Sequence, residues 1–248
     1  MMINPSAWAK FVSTLTKLDA TATQQMAQFI DKTGWDFGDG TQPLIDFAFG
    51  ISTKYGEAAA ALACEMYDAI ATASGVSVEL AIPAATATYG DVAKTVNGTA
   101  KSGNKNTMAS AVGRLVKRAG ADTTMQNAIR DGAQIGWVCH GDTCAFCIAL
   151  ASRGWQRAAK WQLDHDGHAV HIHSNCDCTY CVRFNSDSGI SGYNPDKYKK
   201  IYYGASDGNS RDKINAIRRD NYAKNREKIR EQQNAAYAVR KEKEDNEY

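Results

Sequence analysis

The sequence predicts a mainly α protein in three parts: an N-terminal helical bundle over residues 1–135, a small β-hairpin module over 136–190 and a charged helical tail over 191–248. Apolar residues recur at spacings of three and four through the first half, the period of a helix with one buried face. Six of the seven cysteines and all five histidines fall between Cys139 and Cys181. From residue 211 onward the chain is dense in charge and carries only a thin apolar stripe.

A chain of 248 residues is long enough for one sizeable core plus a small module, or for two modest domains. No apolar run approaches the roughly 18 residues of a membrane span, since Ala58 to Cys64 is flanked by Glu57 and Glu65. Met1 to Lys10 lacks the basic region and apolar core of a secretory signal. The net charge of +2 hides a gradient: residues 1–100 give 5 − 10 = −5, and residues 190–248 give 14 − 10 = +4. An acidic body with a mildly basic tail directs polar contacts to the tail.

Asn4-Pro5-Ser6 starts a helix whose apolar face is Trp8, Phe11, Leu15 and Leu18. Asp19 or Thr21 is expected to cap a second helix running through Phe29, and Gly34 to Gly40 to form a loop. A third helix is expected from Leu44 to about Thr72, with candidate breaks at Gly50 and Gly56 and small residues from Ala58 to Ala63 that permit close helix packing. Gly75 to Thr86 reads as a linker, Tyr89 to Val96 as a short helix, and Asn97 to Asn106 as an exposed loop. Thr107 to Ala119 is expected to turn Met108, Val112 and Leu115 inward and Arg114, Lys117 and Arg118 outward, with Asp122 or Thr123 capping a further helix to Gly132. Gly136-Trp137-Val138 reads as a strand. Past Cys147, Ile148 to Ser152 is a helical turn; His171 to His173 and Tyr180 to Phe184 are expected to pair as a hairpin. Asn194-Pro195 starts a short helix bearing Tyr198, Ile201 and Tyr202, followed after Gly204 to Ser210 by a charged helix expected to lie on a partner or fray.

The chemistry is concentrated in the middle of the chain. Cys144-Ala-Phe-Cys147 is answered by His171-Ile-His173-Ser-Asn-Cys176-Asp-Cys178. Two cysteines separated by two residues can share one tetrahedral ion, and a later His and Cys complete its shell, which points to one structural zinc site. Cys144 and Cys147 are the firm pair; His173 with Cys176 or Cys178 closes the set, and His171, on the same face of an extended segment as His173, is a substitute ligand or a supporting partner. Disulfides would need an oxidising compartment, and c-type haem would need a histidine where Ile148 stands. Buried thiols remain an alternative that leaves the clustered histidines unexplained. Cys139 and Cys181 are expected to pack against the site, Cys64 to be a small core residue, and His140, His165 and His168 to be loop residues. The hairpin has too few apolar side chains to stand alone, so the ion supplies much of its stability.

The run Gly141-Asp-Thr-Cys144-Ala-Phe-Cys147-Ile-Ala-Leu-Ala-Ser-Arg153-Gly154-Trp155, followed by His173-Ser-Asn-Cys176-Asp-Cys178-Thr179, resembles the cysteine module of minor head proteins of tailed bacteriophages, related to the Mu F-like head morphogenesis family. Gly192-Tyr-Asn-Pro-Asp-Lys197-Tyr198 and the basic tail extend the likeness; Cys181 departs from the pattern. The resemblance implies a structural virion protein, not an enzyme, assembled in the bacterial cytoplasm and taking part in head morphogenesis near the portal or inner shell. Its implied partners are the portal or major capsid protein, with packaged DNA reached through the basic tail. Two other classes compete: a DNA-binding zinc protein, and an HNH-type nuclease, which needs a further histidine after His173 that the sequence lacks.

Overall fold

The computed structural model describes residues 2–33, 40–101, 104–140, 143–164 and 178–245, apart from the side chains of 227–229 and 231–245. These residues are mainly helical and include one three-stranded antiparallel sheet. They form two compact units: Met1–Gly141 with Gly154–Tyr193, and Asp142–Arg153 with Asn194–Tyr248.

In the first unit, α1 (Pro5–Thr33) is continuous and buries Trp8, Phe11, Leu15, Ala22, Met26 and Ile30 along one face. The break expected near Asp19 does not occur, because neither candidate cap turns to the amides ahead of it as a cap must. The Asp19 carboxylate instead lies 2.9 Å from Lys117 Nζ. Thr21 Oγ1 donates back to the Lys17 carbonyl at 2.7 Å.

Helix α2 (Gln42–Ala73) starts with a proline in its first turn and runs unbroken through Gly50 and Gly56. Its small residues allow the close packing the sequence suggested. A Cβ added at Gly120 of α4 (Lys105–Arg130) would stand 3.2 Å from the Ala59 carbonyl oxygen. Helix α3 (Tyr89–Ala100) begins with a reciprocal cap: Thr88 Oγ1 accepts from the Asp91 amide at 3.2 Å and Asp91 Oδ2 accepts from the Thr88 amide at 3.3 Å. It extends a turn beyond the expected end and buries Val92 and Val96 completely.

Helix α4 corrects two expectations. It is one helix to Arg130, and Asp122 sits inside it, paired with Arg118 four residues earlier at 3.2 Å. Lys117 is buried, where the sequence placed it in solvent. A one-face reading fails here because α1, α2 and α3 all pack on α4, so Met108, Val112, Leu115, Val116, Met125 and Ala128 are buried around its circumference.

The segment 76–88, which takes in most of the expected linker Gly75 to Thr86, is an extended strap whose backbone is held by helix side chains. Ala81 N donates to Asp68 Oδ1 and Ile82 N to Asn127 Oδ1, each at 2.9 Å. The Ile82 carbonyl accepts from Asn127 Nδ2 at 2.8 Å and Gln126 Nε2 at 2.7 Å, and Ala84 N donates to Thr123 Oγ1 at 2.9 Å. Arg130 completes the clamp on the carbonyls of Glu79 and Leu80, at 2.7 and 3.0 Å. Extended backbone has no internal partners, so these side chains supply hydrogen bonds that the strap cannot make within itself.

The sheet has the order β2-β1-β3, with β1 (Gln134–Val138) between β2 (Gln156–Arg157) and β3 (Thr179–Arg183). β3 was expected to pair with 171–173. It pairs antiparallel with β1, setting Gly136 opposite Cys181 and Trp137 opposite Tyr180; residues 171–173 lie outside the described ones. A short helix, α6 (Trp161–Asp164), follows β2. Trp155 fills the space that glycine leaves, since a Cβ at either Gly136 or Gly189 would stand 3.0 Å from its ring. Arg183 covers that ring at 4.8 Å from its centroid.

The second unit consists of α5 (Ala145–Ala151), α7 (Pro195–Gly204) and α8 (Ser210–Asp245). Asn194 caps α7 by accepting from the Asp196 amide at 3.1 Å, with Pro195 in the first turn. Ala145, Ile148 and Ala149 pack with Tyr202 and Ile217, joined by Tyr198, Ala205 and Ile214. The opening turns of α8 therefore have their apolar partner within the chain, and the expected marginal helix is anchored at that end.

Candidate metal centre

Cys144 is the N-cap of α5, with extended backbone angles of φ −71° and ψ 161°. Its Sγ accepts the Cys147 amide at 3.3 Å, the bond a capping serine hydroxyl would otherwise make. The two-residue spacing thus becomes one turn that starts a helix, with the Cys147 side chain buried inside it. The thiolate is the form of cysteine that ligates metal. Two soft donors on one turn suit zinc chemistry. This pair belongs to the second unit.

Cys178 is buried immediately before β3, in the first unit. Cys181, three residues on, is fully enclosed in the sheet, and its Sγ contacts the Val182 carbonyl at 3.3 Å. Burial pushes the Cys181 thiol well above its ordinary value, an environment for a packing residue more than for a ligand. Cys64, expected in the core, is half-buried on α2, and burial with Asp68 nearby also raises its thiol.

His173 and Cys176 lie outside the described residues, as do His165, His168 and His171. Among the described residues, no group of three or more His, Cys, Asp or Glu is arranged to hold a metal ion. Of the five residues expected to supply zinc ligands, the structure shows Cys144 and Cys147 on one turn and Cys178 buried.

One residue assigned no role from sequence has a structural one. His140 Nε2 accepts from Trp8 Nε1 at 2.9 Å, with the ring planes 27° apart and the centroids separated by 6.3 Å. The bond ties the start of α1 to the segment leaving β1, across a sequence separation that no local pattern reveals.

Among the described residues no helix is long and apolar enough to cross a membrane. No curated protein and no solved structure matches the chain. A family model described as VG15 protein matches residues 2–205, which takes in the helical bundle, the sheet, both cysteine clusters and α7. The chain belongs to the VG15 protein family and is a phage-related protein.

Proposed function

We propose that this protein is a minor head protein of a tailed phage, a structural component of the virion that takes part in head morphogenesis beside the portal or inner shell. Membership of a viral family carries the reading, and the Cys144–Cys147 turn at the head of α5 supports the minor-head assignment within it. Its partners are the portal or major capsid protein, with packaged DNA reached through the basic tail.

A structural zinc ion, held by Cys144, Cys147, His173 and one of Cys176 and Cys178, accompanies this role. His171 stands by as the substitute ligand. Four protein ligands leave no open position for water, so such an ion stabilises the fold and catalyses nothing.

The test is to purify particles and empty proheads of the phage that encodes the chain and to quantify this protein in each by mass spectrometry. A few copies per particle are expected. Absence from both would transfer the role to an assembly factor that leaves before maturation, or to the DNA-binding zinc protein that an exposed basic helix also suits.

A further inference from the structure

Helix α8 sorts its cations by face. At 3.6 residues per turn, Arg211, Arg218, Arg219, Tyr222, Arg226 and Arg230 fall within an arc of about 120°. All five arginines are exposed, as is Tyr222, and none of them has an acidic partner among the described residues. Ile214, Ile217 and Asn221 occupy a different side, where Ile217 is buried and Asn221 Nδ2 donates to the Thr143 carbonyl at 3.5 Å. The described lysines lie on the flank and are engaged: Lys224 pairs with Asp220 at 2.6 Å, and Lys213 donates to the Gly208 carbonyl. The one described acid within the arginine arc, Asp212, accepts from the Asn209 amide at 3.1 Å and so completes the start of the helix.

A helix that is merely solvated intersperses acids and bases at i, i+4 around its surface. Here the lysine is paired with an acid while the arginines are set apart. We propose that the face of α8 from Arg211 to Arg230 binds the phosphate backbone of duplex DNA without base preference. The inference rests on the minor-head reading, in which packaged DNA is the polyanion the protein meets, and it names the residues that meet it.

The side-chain chemistry favours this occupant. A guanidinium presents a planar fork that matches phosphate oxygens, and it is held less tightly by water than an ammonium is. The nineteen residue steps from Arg211 to Arg230 span about 28 Å of helix, the axial length of roughly eight base pairs. A single aromatic, Tyr222, gives no succession of stacking platforms, which argues for duplex over single strand.

The experiment is fluorescence anisotropy of full-length protein against a short duplex of random sequence, between about 50 and about 200 mM salt. With at most five phosphates neutralised, log affinity is expected to fall against log salt with a slope of about −3 to −4.5. The variant R219Q/R226Q/R230Q is expected to flatten that slope by about 2 to 3 while leaving circular dichroism unchanged. An unaltered slope in the variant, or no binding at the lowest salt, would overturn the assignment. So would equal competition by polyglutamate of the same charge, which would give the face to an acidic protein surface. Failure here in a protein that is nonetheless counted in particles leaves the minor-head reading standing; binding by a protein absent from particles and proheads does the reverse.

Discussion

Lys117 Nζ stands 2.9 Å from Asp19 Oδ2, with the two side chains only 5% and 8% exposed, so an ion pair joins α4 to α1 inside the bundle. The second carboxylate oxygen, Asp19 Oδ1, is buried and has no hydrogen-bond partner among the described residues. The pair fits because position 113 is glycine: a Cβ there would lie 2.2 Å from both Asp19 Oδ1 and Thr23 Oγ1. Removing one partner strands a charge in a site largely closed to solvent. Lys117→Met is expected to cost about 3–5 kcal/mol in urea unfolding, and Asp19→Leu combined with Lys117→Met distinctly less than that. A double variant as unstable as the single one would mean the pair contributes through geometry alone.

Gly189 adopts φ 115° and faces the Trp155 ring, so it is constrained both by backbone and by space. Gly189→Ala is expected to destabilise the first unit by about 1–3 kcal/mol through backbone strain, with a further steric loss against the indole. Adding Trp155→Leu should recover the steric part and leave the strain. Full recovery in the double variant would show that the backbone at this position is easily deformed.

For the metal, purified protein is expected to contain about one zinc per chain, the stoichiometry of a single closed structural site. Cys144→Ser and Cys147→Ser should each lose the ion together with soluble yield. Cys181→Ser should retain it, because that thiol is committed to the sheet. Elemental analysis decides, and full zinc retention in both of the first two variants would remove these cysteines from the ligand set.

Acid stability should depend on Asp131. The Arg130 guanidinium, and then the Tyr67 hydroxyl, hold its carboxyl below the ordinary value of 3.8 against the opposing effect of burial. A depressed folded value means that the folded state favours the ionised form. The resulting stabilisation is fully present above the unfolded value and is lost as pH falls through the folded one. Asp131→Asn should therefore unfold at a lower urea midpoint near neutrality and show a flatter decline below pH 3.8 than the parent. Parallel acid limbs would place the pH dependence elsewhere.

How much of this was legible in advance varied with how local the cause was. The apolar face of α1 and the Ala-rich packing of α2 are set by residues a few positions apart, and each was readable; the helix expected only past Cys147 in fact starts at Ala145, because Cys144 caps it. Asp19 looked like a cap because capping and long-range pairing use the same side chain; only the position of Lys117, far along the chain, decides between them. Lys117 itself was misplaced because periodicity assumes one solvent-facing side, and α4 has helices on several. The pairing of β1 with β3 was not foreseen for the same reason, since the match of Trp137 with Tyr180 bridges more than forty residues; the expected pairing with 171–173 lies outside the described residues. At the site, the zinc expectation survives as a proposal, with Cys144 and Cys147 held on one turn and the expected ligands His173 and Cys176 outside the described residues.

The strap from 76 to 88 bears on how this protein is handled in the laboratory. A stretch containing Ala, Pro and Thr between two helices invites insertion of an epitope tag or a permuted terminus. Asp68, Asn127, Gln126, Thr123 and Arg130, however, each read a particular peptide group, so the register of the strap is keyed like a zip with five teeth. An insertion between Glu79 and Ala84 would put the contacts on one side of it out of register with those on the other. The turn at Ser206 to Gly208, where the glycine amide donates to the Ser206 hydroxyl two residues back, within the turn itself, is the better place to open the chain.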